Sequence, residues 1–351
     1  MASGGARALG GVPCRIRDDL MIHERGKGRN APMNVLIQEQ VMDRLAPRIL
    51  EIAPACTLVP VANSGQILGE LDEGEALLLR WWGLDGERFQ RLVRETPDLS
   101  WIHTISTGVN HVLFPFLVES DIVLTNARGV YDGSVAEMVL AYMLAVVKEL
   151  AIFQEQKAEH RWRKAFLQEM DGLTVGIVGF GGIGRRVSQM VSPFGVRLIA
   201  TKRRMGSFPE PGVRILPSDQ LCDLMAESDF VVVTVPLTEQ TRHLIDARVL
   251  AHAKPGAWLI NVARGGVVDE TALVHALREG PLGGACLDVF EEEPLPTDSA
   301  LWDLPNVIIT PHTSGLSPRL YERSADLFVE NLRRYVTGEP LLNVVDKAAG
   351  Y

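Results

Sequence analysis

The chain has few cysteines and no long apolar run. Its four cysteines, Cys14, Cys56, Cys222 and Cys286, are scattered over 351 residues without a Cys-x-x-Cys pair. This usage favours reduced thiols that pack in a core, and it argues against disulfides or a metal site. No stretch is apolar enough to cross a bilayer, and the first thirty residues lack the apolar core of a secretory signal. We therefore expect a cytoplasmic protein that makes no contact with a membrane.

The chain also has fewer basic than acidic residues. The chain carries 35 Lys and Arg against 44 Asp and Glu, which gives a formal net charge of −9. It has no basic stripe interleaved with aromatic residues, so we expect no nucleic-acid partner. Apolar residues make up 46% and charged residues 23%, as in soluble globular proteins, and the length suffices for two domains.

Two series of short apolar runs alternate with helical patterns, which predicts an α/β protein with two parallel sheets. The first series predicts strands at 34–38, 57–61, 76–79, 101–104 and 122–125. The second predicts strands at 174–178, 196–200, 213–216, 230–235, 257–261, 284–289 and 307–309. A long helix at 135–150 separates the two series, and its apolar residues on more than one face favour burial between domains or subunits.

The pattern also predicts the domain boundaries. Residues 1–32 read as a disordered extension, with Met33 as an alternative start. A first domain is expected over 33–132 and a second over 133–315. An amphipathic helix at 320–335 is expected to return to the first domain, so that 316–345 complete it.

The most informative motif is a glycine turn after the first strand of the second series, with the sequence Thr174-Val-Gly-Ile-Val-Gly-Phe-Gly-Gly-Ile-Gly184. Gly179 permits the tight bend, Gly181 lets the backbone approach a pyrophosphate, and Gly184 lets the helix pack closely on the strand. An apolar strand before the turn and a helical pattern after it are typical of a dinucleotide-binding site.

The next strand of the series ends in a basic turn. Where a cofactor with a free ribose diol usually meets an acidic residue, this chain has Lys202, Arg203 and Arg204. Three cations suit a 2′-phosphate, so the turn favours NADP(H) over NAD(H), although a solvated basic turn would have the same sequence.

Polar residues follow four later strands of the series, at the sheet edge where doubly wound proteins bind ligands. They are Val235-Pro-Leu-Thr238 with Thr241, Arg264 before a Gly-Gly pair, the acidic run from Asp288 to Glu293, and His312 after a proline. Each has an ordinary structural alternative: a strand-ending turn, a surface arginine, a solvated acidic run and a structural histidine. Together, an arginine, a carboxylate and a histidine beside a nicotinamide site form an apparatus for carbonyl reduction.

These motifs, in this order, resemble the successive signatures of the D-isomer-specific 2-hydroxyacid dehydrogenases. The resemblance rests on Gly179–Gly184, 261–270, 284–296 and 306–312, and it extends over about 33–340. Ser106-Thr-Gly-Val-Asn110 and Leu124-Thr-Asn-Ala-Arg-Gly-Val130 resemble the substrate-domain signature of the same family. The resemblance implies a Rossmann-type doubly wound sheet, a smaller flavodoxin-like substrate domain and a homodimer.

The resemblance also implies roles for individual residues. Arg264 would orient the substrate, Glu293 would keep His312 protonated, and His312 would be the acid/base that gives the proton. The backbone amides of Gly108 and Val109 would take the substrate carboxylate, Thr107 would belong to the same substrate site, and Asp288 would meet the nicotinamide carboxamide. The implied cofactor-binding residues are Gly179, Gly181, Gly182, Ile183, Gly184, Lys202, Arg203, Arg204, Val235, Pro236, Thr241, Val262, Ala263, Asp288 and His312.

Two positions depart from the family pattern. Asn110 replaces a common aspartate, which matters little where the backbone makes the contact, and Lys202 replaces the usual acidic residue, which supports NADP(H) with NAD(H) as the alternative. At the end of a first-domain strand, the residues of Arg80-Trp-Trp82 could line the pocket, with Arg80 as a second cation and Trp81 as part of an aromatic wall, or the two tryptophans could pack as a pair. NADPH-linked members of the family mostly reduce glyoxylate and hydroxypyruvate, so we expect a small 2-oxoacid of this class as substrate.

Rival functions stay open at this point. The C-terminal binding proteins, dinucleotide-sensing co-regulators of transcription, share the fold and the Arg–Glu–His set. The absence of a long disordered C-terminal tail counts against that class. Phosphite dehydrogenases are rivals within the enzymes, and formate dehydrogenases pair their histidine with Gln, which Glu293 disfavours.

Overall fold

The computed structural model describes residues 32–203 and 211–351. Almost all of the predicted N-terminal extension and Arg204 of the basic turn lie outside these residues. Within them, no helix is both long and apolar enough to span a membrane.

The first sheet is parallel and has five strands in the order β2-β1-β3-β4-β5. The strands are β1 (Met33–Gln38), β2 (Cys56–Val61), β3 (Glu75–Arg80), β4 (Leu99–Thr104) and β5 (Val123–Thr125). This order is the flavodoxin-like one, as the family resemblance implied. Side chains alternate between two apolar layers, with Val35 and Ile37 on one face and Leu36 on the other.

Helices cover both faces of the first sheet: α1 (Glu39–Ile52), α2 (Gly86–Glu95), α3 (Pro115–Glu119) and α10 (Leu320–Thr337). The last of these comes from the far end of the chain and packs beside α1. Its Phe328 and Leu332 are fully buried in the layer that holds Val35 and Ile37. The N-terminal sheet therefore has one face completed by a C-terminal helix.

The second sheet is also parallel and has seven strands in the order β12-β11-β10-β9-β6-β7-β8. They are β6 (Thr174–Val178), β7 (Arg197–Lys202), β8 (Val213–Pro217), β9 (Phe230–Val233), β10 (Trp258–Asn261), β11 (Gly284–Leu287) and β12 (Val307–Ile309). Its helices are α4 (Asp132–Val147), α5 (Leu150–Ala158), α6 (Gly182–Val191), α7 (Leu221–Glu227), α8 (Ala247–Leu250) and α9 (Glu270–Arg278). The strand order reverses between β6 and β9, and such a switch point is where doubly wound sheets bind dinucleotides.

The predicted helix at 135–150 is wrong in its bounds. The chain forms α4 and α5 there, with a break at Lys148 and Glu149. Glu149 has a φ of 50°, in the left-handed region that a continuing right-handed helix cannot use. The strands predicted at 230–235 and 284–289 are also shorter, since they end at Val233 and Leu287.

The C-terminal segment, 341–351, returns to the edge of the first sheet. Val344 forms an antiparallel bridge with Thr125, and the Val345 N–H donates to the Leu124 carbonyl at 2.8 Å. The Lys347 ammonium donates to the carbonyls of Leu117 at 2.9 Å, Ser120 at 2.5 Å and Ile122 at 3.0 Å. The segment is therefore fixed to the first sheet and to the end of α3.

Candidate active site

A cleft lies between the carboxyl ends of the two sheets. Its cavity has a volume of about 1070 Å³ and is lined from both sides. The first sheet and its loops contribute Arg80, Trp82, Ser106, Thr107, Asn110 and His111 to the lining. The second side contributes Ile183, Val262, Arg264, Glu293 and His312, among others. The predicted catalytic residues Arg264, Glu293 and His312 therefore line the same cleft as the loops of the first domain.

The glycine turn has the geometry of a phosphate-binding loop. Gly179 has a φ of 93°, and a Cβ there would lie 2.5 Å from Val235 Cγ1. A Cβ on Gly184 would lie 2.6 Å from the Gly179 carbonyl oxygen, so α6 can start against the strand only with glycine there. Among the described residues, no atom lies within 4 Å of the position of a Cβ on Gly181, which leaves open space for a ligand over the helix N-terminus. The Thr234 hydroxyl holds the bend by donating to the Gly179 carbonyl at 2.6 Å.

The described part of the basic turn lies on the same sheet edge. β7 pairs in parallel with β6 in a register that sets Thr201 beside Val178, so Lys202 and Arg203 follow directly beside the glycine turn. Lys202 is half-buried, and the Arg203 guanidinium lies over the ring of Tyr351, with Cζ 4.9 Å from the ring centroid. This location is where a 2′-phosphate of a dinucleotide would lie.

The other predicted cofactor residues occupy the neighbouring strand ends. Val262 lines the cleft and Ala263 is buried beneath it, while Ile183 lines the cleft from the first turn of α6. The Thr241 hydroxyl donates to the Pro236 carbonyl at 2.7 Å and closes that turn on itself. Contacts of these residues, of Gly182 and of Val235 with a cofactor remain predictions.

His312 and Glu293 form a directly bonded pair. The distance from His312 Nδ1 to Glu293 Oε2 is 2.6 Å, and the other carboxylate oxygen accepts the Phe290 N–H at 3.0 Å. Burial raises the pKa of Glu293, but the bonds from His312 and Phe290 and the charges of His312 and Arg264 outweigh it and leave this pKa below the usual value. Glu293 is therefore an anion fixed against Nδ1, which leaves the Nε2 side of the ring for a reacting group.

The loop that carries His312 is held by Asp288. This aspartate is completely buried, and its carboxylate accepts the N–H of Thr313 at 2.9 Å and of Ser314 at 3.0 Å, as well as the Thr310 hydroxyl. His312 itself has a φ of 47° and donates its N–H to the Asp288 carbonyl at 2.8 Å. Asp288 thus positions the histidine loop, and its predicted contact with the nicotinamide carboxamide remains a prediction.

Arg264 extends from the second domain to the loop of the first. A Cβ added to Gly108 would lie 2.5 Å from Arg264 Nη2, so the guanidinium packs directly against this glycine. The Arg264 Nη1 donates to the Ala263 carbonyl at 2.6 Å. Burial lowers the pKa of Arg264, and the nearby Glu293 and Tyr131 act in the opposite direction. The guanidinium remains charged, as arginine does in proteins.

The backbone of the first-domain loop faces this guanidinium. Within residues 32–203 and 211–351, the N–H groups of Gly108 and Val109 donate to no protein acceptor. The loop is held from behind, because the Asn126 amide donates to the Thr107 carbonyl at 2.8 Å. Two open amides beside a cation form a place for a carboxylate.

The structure separates the two neighbours Arg80 and Trp81. Arg80 lies in the cleft wall, where it donates to Thr104 Oγ1 at 3.0 Å and pairs with Asp85. Burial lowers the pKa of Arg80 to about 10. The prediction that Trp81 lines the pocket is wrong, because its side chain is 3% exposed and stacks on Tyr321 in the core of the first domain.

Of the two tryptophans in Arg80-Trp-Trp82, Trp82 lies in the lining, and its ring meets Tyr321 edge to face at a centroid distance of 5.2 Å. Sequence reasoning missed two other residues of the cleft. Tyr131 and His111 also line the cleft, and the Tyr131 hydroxyl donates to the Ile105 carbonyl at 2.6 Å. Each directly follows a motif of the substrate-domain signature, at 106–110 and 124–130, but the resemblance gave neither of them a role. The described residues contain no cluster of ligands for a metal ion.

The chain is similar to known enzymes over most of its length. Residues 140–314 match the model of the NAD-binding domain of D-isomer specific 2-hydroxyacid dehydrogenases. An (S)-sulfolactate dehydrogenase from Chromohalobacter salexigens is 37% identical over 247 residues, which are 70% of this chain and 80% of that protein. Glyoxylate/hydroxypyruvate reductase B from Pectobacterium carotovorum is 37% identical over 75% of this chain and 84% of its own.

A solved structure extends the likeness to the whole fold. The NADPH-dependent glyoxylate/hydroxypyruvate reductase of Sinorhizobium meliloti, in complex with NADP and sulfate, superposes with a TM-score of 0.77. It is 28% identical, and the match covers 92% of this chain and all of that one. The chain belongs to the D-isomer specific 2-hydroxyacid dehydrogenase family. It is an oxidoreductase that uses a nicotinamide dinucleotide and acts on small 2-oxoacids or the corresponding 2-hydroxyacids.

Proposed function

We propose that the protein reduces a small 2-oxoacid of the glyoxylate and hydroxypyruvate class to the D-2-hydroxyacid, with NADPH as reductant. The observation that carries this proposal is the bonded pair of His312 and Glu293 beside Arg264 and the two open amides of the first-domain loop. These groups face one cleft, so one small substrate can meet all of them.

Each residue has a defined task. Arg264 and the N–H groups of Gly108 and Val109 bind the substrate carboxylate and fix the adjacent carbonyl. His312 donates the proton on Nε2 to the carbonyl oxygen, while Glu293 holds Nδ1 and stabilises the imidazolium before transfer. The bound cofactor supplies the hydride that the carbonyl carbon takes up.

The turn geometry fits a dinucleotide. The open space at Gly181 and the close approach at Gly179 and Gly184 suit a pyrophosphate over the start of α6. Lys202 and Arg203 follow β7, where a 2′-phosphate would lie, and they support NADPH over NADH. The Sinorhizobium enzyme, whose fold this chain shares, is described as NADPH-dependent.

The test follows nicotinamide absorbance with NADPH and NADH against a panel of 2-oxoacids. The panel includes 3-sulfopyruvate, because a 37% identical relative is an (S)-sulfolactate dehydrogenase and Arg80 offers a second cation in the cleft wall. We expect the highest kcat/KM with NADPH and glyoxylate or hydroxypyruvate. Lys202→Asp should move the preference towards NADH, and a wild-type preference for NADH would refute the cofactor assignment.

The catalytic assignment has a separate test. His312→Ala should abolish turnover and leave NADPH binding largely intact, as measured by fluorescence titration. Turnover at the wild-type rate would refute the role of His312.

The proposal includes a cytoplasmic homodimer. Apolar side chains concentrate on α5 and the segment after it, where Trp162 is 94% exposed, Phe166 is fully exposed, and Leu150 and Ile152 are about half exposed. Large exposed apolar side chains that are this close in sequence are typical of an interface between subunits. This surface adjoins the helix region at 135–150 that the sequence indicated as a subunit contact.

A further inference from the structure

The last residues of the chain reach from the first domain to the cofactor side of the second. Lys347 fixes the segment to α3, and the N–H of Gly350 donates to the Asp346 carbonyl at 2.9 Å, so the end of the segment is a closed turn. Gly350 lies in this turn near Thr238, because a Cβ added to Gly350 would be 3.8 Å from the Thr238 methyl carbon. Tyr351 continues to Arg203.

The contact between Tyr351 and Arg203 is a cation–π contact. The guanidinium carbon lies 4.9 Å from the ring centroid, within the range where such pairs attract. A guanidinium stacked on a ring keeps the N–H groups of its planar edge directed sideways, where they can meet a phosphate oxygen. The contact also restricts a long flexible side chain before any ligand arrives, which lowers the entropy cost of binding.

The ring, and not its hydroxyl, makes this contact. The Tyr351 hydroxyl is buried and has no hydrogen-bond partner among the described residues. A buried hydroxyl without a partner adds no stability, so its removal should be nearly neutral while removal of the ring should not.

We propose that Tyr351 positions Arg203 for the 2′-phosphate of NADP(H), and that it thereby contributes to the choice between the two nicotinamide cofactors. This inference rests on the proposed NADPH dependence of the enzyme. Because Lys347 and Val345 tie the segment to the first domain, the phosphate end of the cofactor site is supported from both domains.

The test uses Tyr351→Ala and Tyr351→Phe in the full chain. Calorimetry measures Kd for adenosine 2′,5′-bisphosphate and for AMP, which lacks the 2′-phosphate. Tyr351→Ala should weaken the bisphosphate two- to fivefold, or about 0.5–1 kcal/mol, and leave AMP unchanged. Tyr351→Phe should bind both ligands as the wild type does. In steady-state assays, Tyr351→Ala should raise KM for NADPH by the same factor without changing kcat or KM for NADH.

Three results would overturn the inference. They are an unchanged Kd for the bisphosphate in Tyr351→Ala, an equal loss for both ligands, or a loss in Tyr351→Phe as large as in Tyr351→Ala. If the wild type binds the bisphosphate and AMP with the same Kd, both the NADPH proposal and this inference are refuted. If the wild type prefers the bisphosphate and Tyr351→Ala keeps the whole preference, only this inference is refuted.

Discussion

Gly108→Ala is the sharpest single test of the site. A Cβ at this position would lie 2.5 Å from Arg264 Nη2, and ordinary contacts begin near 3.4 Å. The guanidinium must therefore recede by about 1 Å, which is feasible because it is the far end of a flexible side chain. Gly108 does not use the left-handed region, so the backbone accepts alanine without strain.

The expected loss is catalytic and not structural. A misplacement of about 1 Å in a group that orients substrate costs on the order of 100-fold in rate, or about 2.7 kcal/mol in the activation free energy. The variant should keep the wild-type thermal midpoint and Kd for NADPH, because neither depends on Arg264 touching Gly108.

The assay compares kcat/KM for the best 2-oxoacid in the wild type, Gly108→Ala and the matched control Gly133→Ala. In the part of the chain that the structure describes, a Cβ on Gly133 meets only a nitrogen of Arg323, at 3.9 Å, so this control should keep full activity. If Gly108→Ala stays within twofold of the wild type, then Arg264 does not orient the substrate from this position.

Three further variants test other parts of the structure. Glu293→Gln keeps the shape of the pair but removes the negative charge beside His312, and it should lower kcat roughly tenfold in a steady-state assay. The pair is partly exposed, so solvent screens it, and the lost free energy should lie near the lower limit for a hydrogen bond to a charged group. Trp162→Ser combined with Phe166→Ser should convert the proposed dimer to a monomer in analytical ultracentrifugation, and a double variant that stays dimeric would contradict the proposed interface. Burial lowers the pKa of His103 to about 3, from 6.5 in the unfolded chain. Between these two pH values the unfolded state therefore binds a proton that the folded state does not bind. His103 alone should thus lower wild-type stability as pH drops below 6.5, by about 2 kcal/mol at pH 5. Burial also lowers the pKa of His111, to about 4, which adds a loss of at most similar size after solvent screening. His103→Leu should therefore remove at least about half of the pH dependence in urea unfolding.

Local sequence was enough for the parts of the site that local geometry dictates. Gly179 and Gly184 are glycines because a Cβ would meet neighbouring chain, and that requirement is visible in the spacing of the motif. The strand ends that carry Arg264 and His312 follow from the parallel sheet, since such strands end at a common edge.

Other parts depend on single-residue register or on distant contacts. Arg80 ends β3, and which following tryptophan turns inward depends on where the strand stops, since one residue reverses the side. The sequence therefore left open whether these tryptophans line the pocket or pack, and the structure has Trp82 in the lining and Trp81 in the core. The approach of Tyr351 to Arg203 joins residues with no local pattern in common, so only the folded chain reveals it.

The position of α10 affects the order in which the protein can fold during synthesis. The second sheet has all its strands once Ile309 has left the ribosome. The first sheet, although its strands emerge earlier, has the apolar face around Val35 and Ile37 only partly covered by α1 until Phe328 and Leu332 of α10 arrive. Chain elongation at about 5–20 residues per second leaves that face partly open for many seconds. The first domain to begin is thus the last to be completed, and chaperones that bind apolar surface have the longest access to it.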